Sequence, residues 1–143
     1  MANHATLSAS SSHRWMNCPP SVRLTEHIAD NGSVYAAEGS EAHALCEYKL
    51  RRLLGIDADN PLDGPGGLQY YDSTMEDAAN GYAAYVMELL EDIRQTCADP
   101  IVMVEQNLDY SRWVKDGYGT GDAVIVADGT LHVVDFKYGT GVP

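Results

Sequence analysis

The pattern of polar and apolar residues at the start of the chain predicts two short helices. The serine-rich run at 8–12 supplies helix-capping side chains ahead of a helix around His13–Met16. The Cys-Pro-Pro run at 18–20 should end that helix, because a residue before proline is disfavoured in the helical region. A second short helix is expected over residues 22–28.

Two longer helices are predicted from apolar residues at helical spacing. The first covers residues 40–54, with Ser40 as its N-cap. Its two neighbouring stripes are His43, Glu47, Leu50 and Leu54, and Ala42, Cys46, Lys49 and Leu53. The glycine- and proline-rich segment 55–72 favours a loop. A second helix should run from a capping box formed by Ser73 and Glu76 to about Cys97. Its apolar face is Met75, Ala79, Tyr82, Val86, Leu89, Ile93 and Cys97.

Beyond Pro100 the pattern is typical of strands. Short apolar runs cover residues 101–104, 122–126 and 131–137, and Asp128-Gly129 between the last two is a strong signal for a tight hairpin. The predicted fold class is α+β or α/β, with a helical part over about 8–98 and a three-stranded antiparallel unit over about 100–138. Residues 1–143 are expected to form a single domain.

The hairpin register predicts a pair of carboxylates. Counting outward from Asp128-Gly129 by one residue on each strand places Asp122 opposite Asp135. Directly opposite side chains lie about 5 Å apart, so two carboxylates there repel unless a cation lies between them or one is protonated. Lys137 should project from the same face as Asp135, and Phe136 from the other face, into the core.

Composition restricts the function classes. The 143 residues carry a net charge of −12, which disfavours a protein that coats nucleic acid or anionic membranes by bulk charge. No apolar window approaches the roughly 20 residues of a membrane helix, and the polar N-terminus is unlike a secretory signal. Three widely spaced cysteines suggest a reducing compartment, so a cytoplasmic protein is expected, with no membrane partner.

Hard oxygen ligands at the end of a hairpin suit Mg²⁺ or Mn²⁺. A lysine beside such an ion can position or activate a water, or stabilise the transition state of phosphodiester cleavage. The alternative for Asp122, Asp135 and Lys137 is a charged cluster that only solvates the hairpin end.

Four stretches of the chain, 8–21, 37–45, 117–124 and 132–139, occur in the order found in a known family. Through them the sequence resembles the RecB-like exonuclease branch of the PD-(D/E)XK nuclease superfamily, and more closely a phage and prophage family of that branch. The resemblance implies that the chain is the front part of a restriction-endonuclease-like αβββαβ core. That core continues beyond the D-x-K strand, so the chain is expected to be a truncated or N-terminal portion.

The resemblance also implies site residues. Asp122 and Asp135 match the acidic metal ligands of the motif, and Lys137 matches the catalytic lysine. The backbone carbonyl of Phe136 would complete the metal shell. His43, which follows a Glu-Gly pair, matches the additional histidine ligand of the RecB-like branch. Without the resemblance, His43 would be interpreted as an exposed helix histidine.

Three further residues have open assignments. Glu47 could lie behind the ligands, and Glu105 could face the site or be an ordinary strand-end acid. Cys18 matches the first iron–sulfur cysteine of some RecB-like nucleases. A cluster requires about four thiolates, so it could form only with cysteines beyond residue 143, since Cys46 and Cys97 are predicted to lie in helices. A buried apolar thiol is the default interpretation of Cys18.

The function implied by the resemblance is a phage-associated, divalent-metal-dependent DNA nuclease that uses a metal-activated water. Mg²⁺ or Mn²⁺ is the expected cofactor, with DNA and phage recombination or replication proteins as partners. The alternative is a catalytically incomplete nuclease-like module that binds nucleic acid or replication and recombination proteins. A phosphate-cradling loop at residues 117–122 is disfavoured because no helix is predicted to follow it.

Overall fold

The N-terminal helices begin at a serine cap, as predicted. In a computed structural model, which describes residues 6–28 and 34–139, Ser8 accepts hydrogen bonds from the backbone N–H of Ser11 through both its carbonyl and its hydroxyl oxygen. A short 3-10 helix, Ala9–Ser11, leads into α1, Ser12–Asn17. The prolines then separate α1 from α2, Ser21–Thr25, which is shorter than the sequence predicts.

The third helix, α3, comprises Val34–Leu53 and therefore starts before the predicted boundary. Ser40 lies inside the helix, where its hydroxyl donates a hydrogen bond to the carbonyl of Ala36 at 2.9 Å, so its assignment as an N-cap is wrong. Residues 35–38 are compatible with helix, and Gly39 continues it at the modest propensity cost of a glycine. The cap-like serine is accommodated because its hydroxyl bonds back to the preceding turn.

The fourth helix, α4, comprises Ser73–Arg94. Its N-cap is Asp72, whose carboxylate accepts a hydrogen bond from the N–H of Met75 at 2.7 Å, so the prediction of Ser73 as the cap is wrong by one residue. Glu76 does not close a capping box with Ser73; it accepts a 2.6 Å hydrogen bond from Lys49 of α3. This ion pair links the two long helices across their packed faces.

Three strands form an antiparallel sheet in the order β1-β2-β3. They are β1, Ile101–Asp109, β2, Tyr118–Ala127, and β3, Thr130–Val134. Asp128 and Gly129 have φ angles of 47° and 76°. A tight two-residue hairpin turn of the favoured type requires positive φ at both central residues. The observed register runs from Ala127 opposite Thr130 to Ala123 opposite Val134, which confirms the predicted hairpin and the α+β fold class.

The core lies between α3, α4 and one face of the sheet. Its fully or nearly fully buried members include Ala42, Leu45, Leu50, Met75, Ala79, Val86, Leu90, Ala123 and Ile125. Val134, Phe136 and Tyr138 pack against this core from alternate positions of the last segment, which confirms the predicted inward direction of Phe136. The helices therefore cover one face of the sheet, and His43 belongs to α3, one of the two covering helices.

The described residues fall into two compact units, 6–28 with 107–121, and 34–106 with 122–139. This division does not follow the predicted boundary between a helical and a β part. Both long helices, the hairpin and the core described above belong to the second unit. None of the described helices is long and apolar enough to cross a membrane.

Candidate metal centre

Three residues from three different elements bring potential metal ligands together in the second unit. His43 of α3, Glu105 of β1 and Asp122 of β2 each offer one ligand atom, and these atoms all lie within 4.8 Å of one another. Asp122 is buried and the other two are half-buried. The group is therefore largely shielded from solvent, but it remains partly accessible through His43 and Glu105.

The carboxylate of Asp122 is held from two sides. Its Oδ1 lies 3.4 Å from Nδ1 of His43, and its Oδ2 accepts a 2.6 Å hydrogen bond from the backbone N–H of Phe136. Burial would raise the pKa of Asp122, but the hydrogen bonds from His43 and Phe136 outweigh it, so the pKa is lowered. The same bond to Asp122 raises the pKa of His43 against the opposing effect of burial.

Glu105 has an unusual backbone conformation. Its φ is 51°, in the left-handed region, although the residue lies inside β1 and is not a glycine. Such a conformation costs an ordinary residue about 1–2 kcal/mol. Burial raises the pKa of the Glu105 carboxyl, and the negative charges of Asp122 and Glu47 raise it further. Strain and unfavourable charge at the same residue are typical of a functional position.

Aromatic rings line the buried side of the centre. The ring of Phe136 lies 5.4 Å from the His43 ring and 5.3 Å from the Tyr82 ring, in edge contacts. The hydroxyl of Tyr82 is buried and has no hydrogen-bond partner in the described part of the chain. Burial raises the pKa of Tyr82, and burial raises the pKa of the nearby Cys46 thiol to about 12. Both groups are therefore neutral near pH 7.

Asp135 is not paired with Asp122 in the sheet, and Lys137 lies beside Asp135. Strand β3 ends at Val134, so the expected ladder pairing of Asp122 with Asp135 is not formed, because Asp122 binds the N–H of Phe136 instead. Asp135 is exposed, lies outside the ligand group and forms a 2.8 Å ion pair with Lys137. The charge of Lys137 nevertheless acts on the centre: it adds to the lowering of the Asp122 pKa and opposes part of the rise that Asp122 causes in the His43 pKa.

The remaining candidates lie outside the ligand group. Glu47 forms a 2.7 Å ion pair with Arg51, one turn further along α3. Cys18 is exposed, so the default interpretation of a buried thiol is wrong. Cys46 is buried in α3, whereas Cys97 is buried beyond the end of α4 and not inside it. Iron–sulfur ligation by Cys18 stays a prediction.

The donor set fits a divalent cation. One imidazole and two carboxylates are ligands that Mn²⁺, Fe²⁺ and Zn²⁺ accept, and the carboxylates also suit Mg²⁺. Two acids this close repel each other, and a single imidazolium compensates only one of their charges. An ion that binds His43 requires the neutral imidazole, so a dication would replace the proton on His43, balance both carboxylates and relieve the unfavourable burial of Glu105.

Two features of the centre were not assigned from the sequence. Tyr82 was predicted only as part of an apolar helix face, and the left-handed backbone of Glu105 has no sequence signal, since glutamate does not favour that region. The apolar neighbours of Tyr82 at helical spacing predict burial of its ring but not the isolation of its hydroxyl.

The chain belongs to the family described as Protein of unknown function (DUF2800), whose family model matches residues 4–143. No solved structure matches the chain.

Proposed function

We propose that the chain carries the centre of a divalent-metal-dependent DNA nuclease. The observation that carries this proposal is the convergence of His43, Glu105 and Asp122, whose ligand atoms lie within 4.8 Å of one another. The Asp-x-Lys segment at residues 135–137 directly follows the hairpin strand that pairs with Asp122's strand. This combination favours phosphodiester hydrolysis over a structural metal site, which would have four protein ligands in a closed shell.

In this proposal the chain's own residues hold and orient the ion. His43, Glu105 and Asp122 supply the ligand atoms, and the N–H of Phe136 fixes the orientation of the Asp122 carboxylate. A bound divalent ion polarises a phosphoryl oxygen and lowers the pKa of water. Lys137 supplies a positive charge for the phosphate, and Asp135 positions its ammonium group through their ion pair.

The neutral state of the surrounding groups supports the same role. Tyr82 and Cys46 stay protonated at neutral pH, so they add no charge to a centre whose two acids already exceed the charge of one imidazolium. The centre therefore retains one net negative charge in its metal-free form when His43 is protonated. Because the His43 nitrogen binds an ion only when it is deprotonated, the ligand set then carries two negative charges, which a dication balances and a monovalent cation does not.

We further propose a cytoplasmic location, supported by three free cysteines, which suit a reducing compartment. DNA, and phage recombination or replication proteins, are the partners that the resemblance to RecB-like nucleases implies.

A second candidate is a catalytically incomplete module that binds nucleic acid or replication and recombination proteins. The observation that favours it is the position of Asp135, which is exposed, paired with Lys137 and outside the ligand group. A centre that lacked the (D/E)XK acid would bind an ion with fewer protein ligands. Metal binding and strand cleavage would then be separable properties of this chain.

Cleavage of end-labelled DNA in the presence of Mn²⁺ or Mg²⁺ tests the two candidates. We expect the wild-type chain to cut DNA and Asp122→Asn to reduce the rate by at least about 100-fold. Asp92→Asn, at an exposed acid of α4, is the matched control and should cut normally. Absence of metal-dependent cleavage, with DNA binding that survives Lys137→Ala and chelation, would favour the non-catalytic module.

A further inference from the structure

The first unit carries an indole that the fold leaves in solvent. Trp113 lies in the turn between β1 and β2, residues 110–117, and is 76% exposed, more than any other large apolar residue of the described chain. Full burial of a large apolar side chain contributes about 1.5–3 kcal/mol, which this position forgoes. A partner that covered the indole of Trp113 would recover part of this free energy.

The 110–117 turn is a closed, hydrogen-bonded structure. The N–H groups of Trp113 and Val114 both donate to the carbonyl of Tyr110, at 3.0 and 3.1 Å. Gly117 donates to the carbonyl of Val114 at 2.8 Å, and Tyr110 donates to the carbonyl of Gly117 at 3.1 Å. These bonds fix the backbone on both sides of Trp113, so its exposure is a property of a defined conformation.

The base of the 110–117 turn is also tightly packed. The hydroxyl of Tyr110 donates to the carbonyl of Tyr118 at 2.9 Å, and its ring covers Gly117 so closely that a Cβ there would lie 2.5 Å from the ring. Tyr110 thus stabilises the backbone of the turn, whereas the side chain of Trp113 is exposed to solvent. The arrangement separates a half-buried aromatic ring, Tyr110, from an exposed one, Trp113.

The turn also carries two positively charged side chains, Arg112 and Lys115. The guanidinium of Arg112 lies over the Trp113 ring, 5.7 Å from its centroid, and Lys115 is exposed nearby. Within residues 6–28 and 34–139, neither cation forms an ion pair. By contrast, the ion pairs of the second unit occupy Lys49, Arg51 and Lys137.

Two acids lie close to these cations in sequence: Asp109 directly before the turn and Asp116 within it. Hydrogen bonds from the side chain of Ser111 and from its backbone N–H, the latter at 2.8 Å, lower the pKa of the Asp109 carboxyl. Asp116 has a left-handed backbone conformation near the end of the turn. Residues 1–31 and 107–121 hold four basic and four acidic residues. The whole net charge of −12 therefore belongs to the rest of the chain, and this unit is the part least repelled by a polyanion.

We infer that the 110–117 turn binds single-stranded nucleic acid, with an unpaired base stacked on Trp113 and backbone phosphates contacted by Arg112 and Lys115. An indole face stacks on any base but only where the base is unpaired or terminal, because bases inside a duplex already cover each other's faces. Arg112 covers one face of the indole, so the opposite face remains for the base. The inference deepens the proposed nuclease function and rests on it for the choice of nucleic acid over a protein partner.

Fluorescence anisotropy with a labelled oligothymidylate of about 12 nucleotides, a length within the usual range of single-strand sites, tests the inference. The full chain is used at low salt and with EDTA, so that neither metal nor cleavage contributes. We expect saturable binding that Trp113→Ala weakens about 5- to 150-fold and Trp113→Phe weakens less. Arg112→Ala and Lys115→Ala should each reduce the salt slope of log K by about 0.7.

Tyr85→Ala and Arg94→Ala are matched controls, since both residues are exposed on α4 in the other unit, and both variants should bind as wild type. Equal binding by Trp113→Ala and wild type, absence of saturable binding, or equal affinity for a blunt duplex would each overturn the inference. Because this binding is measured in EDTA and without cleavage, loss of the nuclease function and loss of this binding surface give different results.

Discussion

Asp122 and Phe136 are joined by a 2.6 Å hydrogen bond from backbone N–H to carboxylate, although the two residues do not pair in the sheet. The bond replaces the next ladder pair beyond Ala123 and Val134, so the hairpin ends where the candidate metal centre begins. One oxygen of Asp122 is used to hold the last segment of the chain, and the other lies 3.4 Å from His43. The same carboxylate therefore ends the sheet pairing and carries the negative charge that faces His43.

The first prediction concerns pH. The folded-state pKa of His43 is raised, so its contribution to stability is fully present below its usual pKa of about 6.5 and is lost as pH rises through the folded value. The raised pKa of Glu105 acts in the same direction, whereas the lowered pKa of Asp122 contributes stability that is lost only in acid. The metal-free protein should become less stable from about pH 6 to pH 8, as measured by denaturant unfolding.

His43→Gln should flatten this pH dependence. His27→Gln, at a histidine whose side chain is 86% exposed, is the control and should leave it unchanged. A slope that persists in His43→Gln would show that other groups cause it.

The second prediction concerns the isolated hydroxyl of Tyr82. A buried hydroxyl without a partner costs about 1–3 kcal/mol of desolvation, so Tyr82→Phe should raise the free energy of unfolding of the metal-free protein by about 1 kcal/mol. Tyr85→Phe, at an exposed position three residues later, should change it by less than about 0.5 kcal/mol. A loss of stability in Tyr82→Phe would mean that the hydroxyl is hydrogen-bonded in solution.

The third prediction tests the packing of the 110–117 turn. A methyl group at Gly117 would lie 2.5 Å from the Tyr110 ring and 2.7 Å from the carbonyl oxygen of Val114, so Gly117→Ala should destabilise the protein by about 1–3 kcal/mol. Gly81 in α4 has no atom within 4 Å of the added carbon, and Gly81→Ala should stabilise by up to about 1 kcal/mol. The unfolding temperatures of the two variants, measured by thermal unfolding, check this prediction. Equal changes in Gly117→Ala and Gly81→Ala would contradict this description of the turn.

The fourth prediction separates charge relief from metal binding at Glu105. Glu105→Gln removes a half-buried acid whose pKa is raised, so the metal-free variant should be at least as stable as wild type at pH 8. At 100 times the dissociation constant, a bound ion adds about 2.7 kcal/mol to the wild type, and this increment should be absent in the variant. Glu88→Gln on α4 is the control, and the bound ion should stabilise this variant as much as it stabilises the wild type. If metal stabilised Glu105→Gln as much as it stabilises the wild type, Glu105 would not be a ligand.

The hairpin could be predicted from the sequence because its register depends on a two-residue turn, and Asp128-Gly129 specifies that turn locally. The helices could be predicted as elements, but their boundaries could not. The neighbouring residue Asp72 outcompetes Ser73 as a cap, and Ser40 lies within a helix that already continues from Val34. Caps are decided by which oxygen reaches the free N–H groups, and several polar residues in a row leave that choice open.

The sequence predicts only part of the candidate centre, because its residues are brought together by contacts between positions that are distant in the chain. His43 and Asp122 were both identified by residue type and motif position, and the structure brings them together. The hairpin register pairs Asp122 with Asp135, whereas the observed ladder ends one step earlier, at Ala123 and Val134. The predicted pair assumes regular strand pairing, whereas a carboxylate beside a free N–H ends the strand. Glu105 reaches the group through a left-handed backbone that no local propensity favours.

Titration calorimetry with Mn²⁺ on the wild type, Asp122→Asn and Asp92→Asn tests the central claim most directly. The account predicts one Mn²⁺ per chain in the wild type and in Asp92→Asn, and at least about a 100-fold weaker association in Asp122→Asn. Absence of binding to the wild type, or equal binding by Asp122→Asn and Asp92→Asn, would contradict a metal centre formed by His43, Glu105 and Asp122.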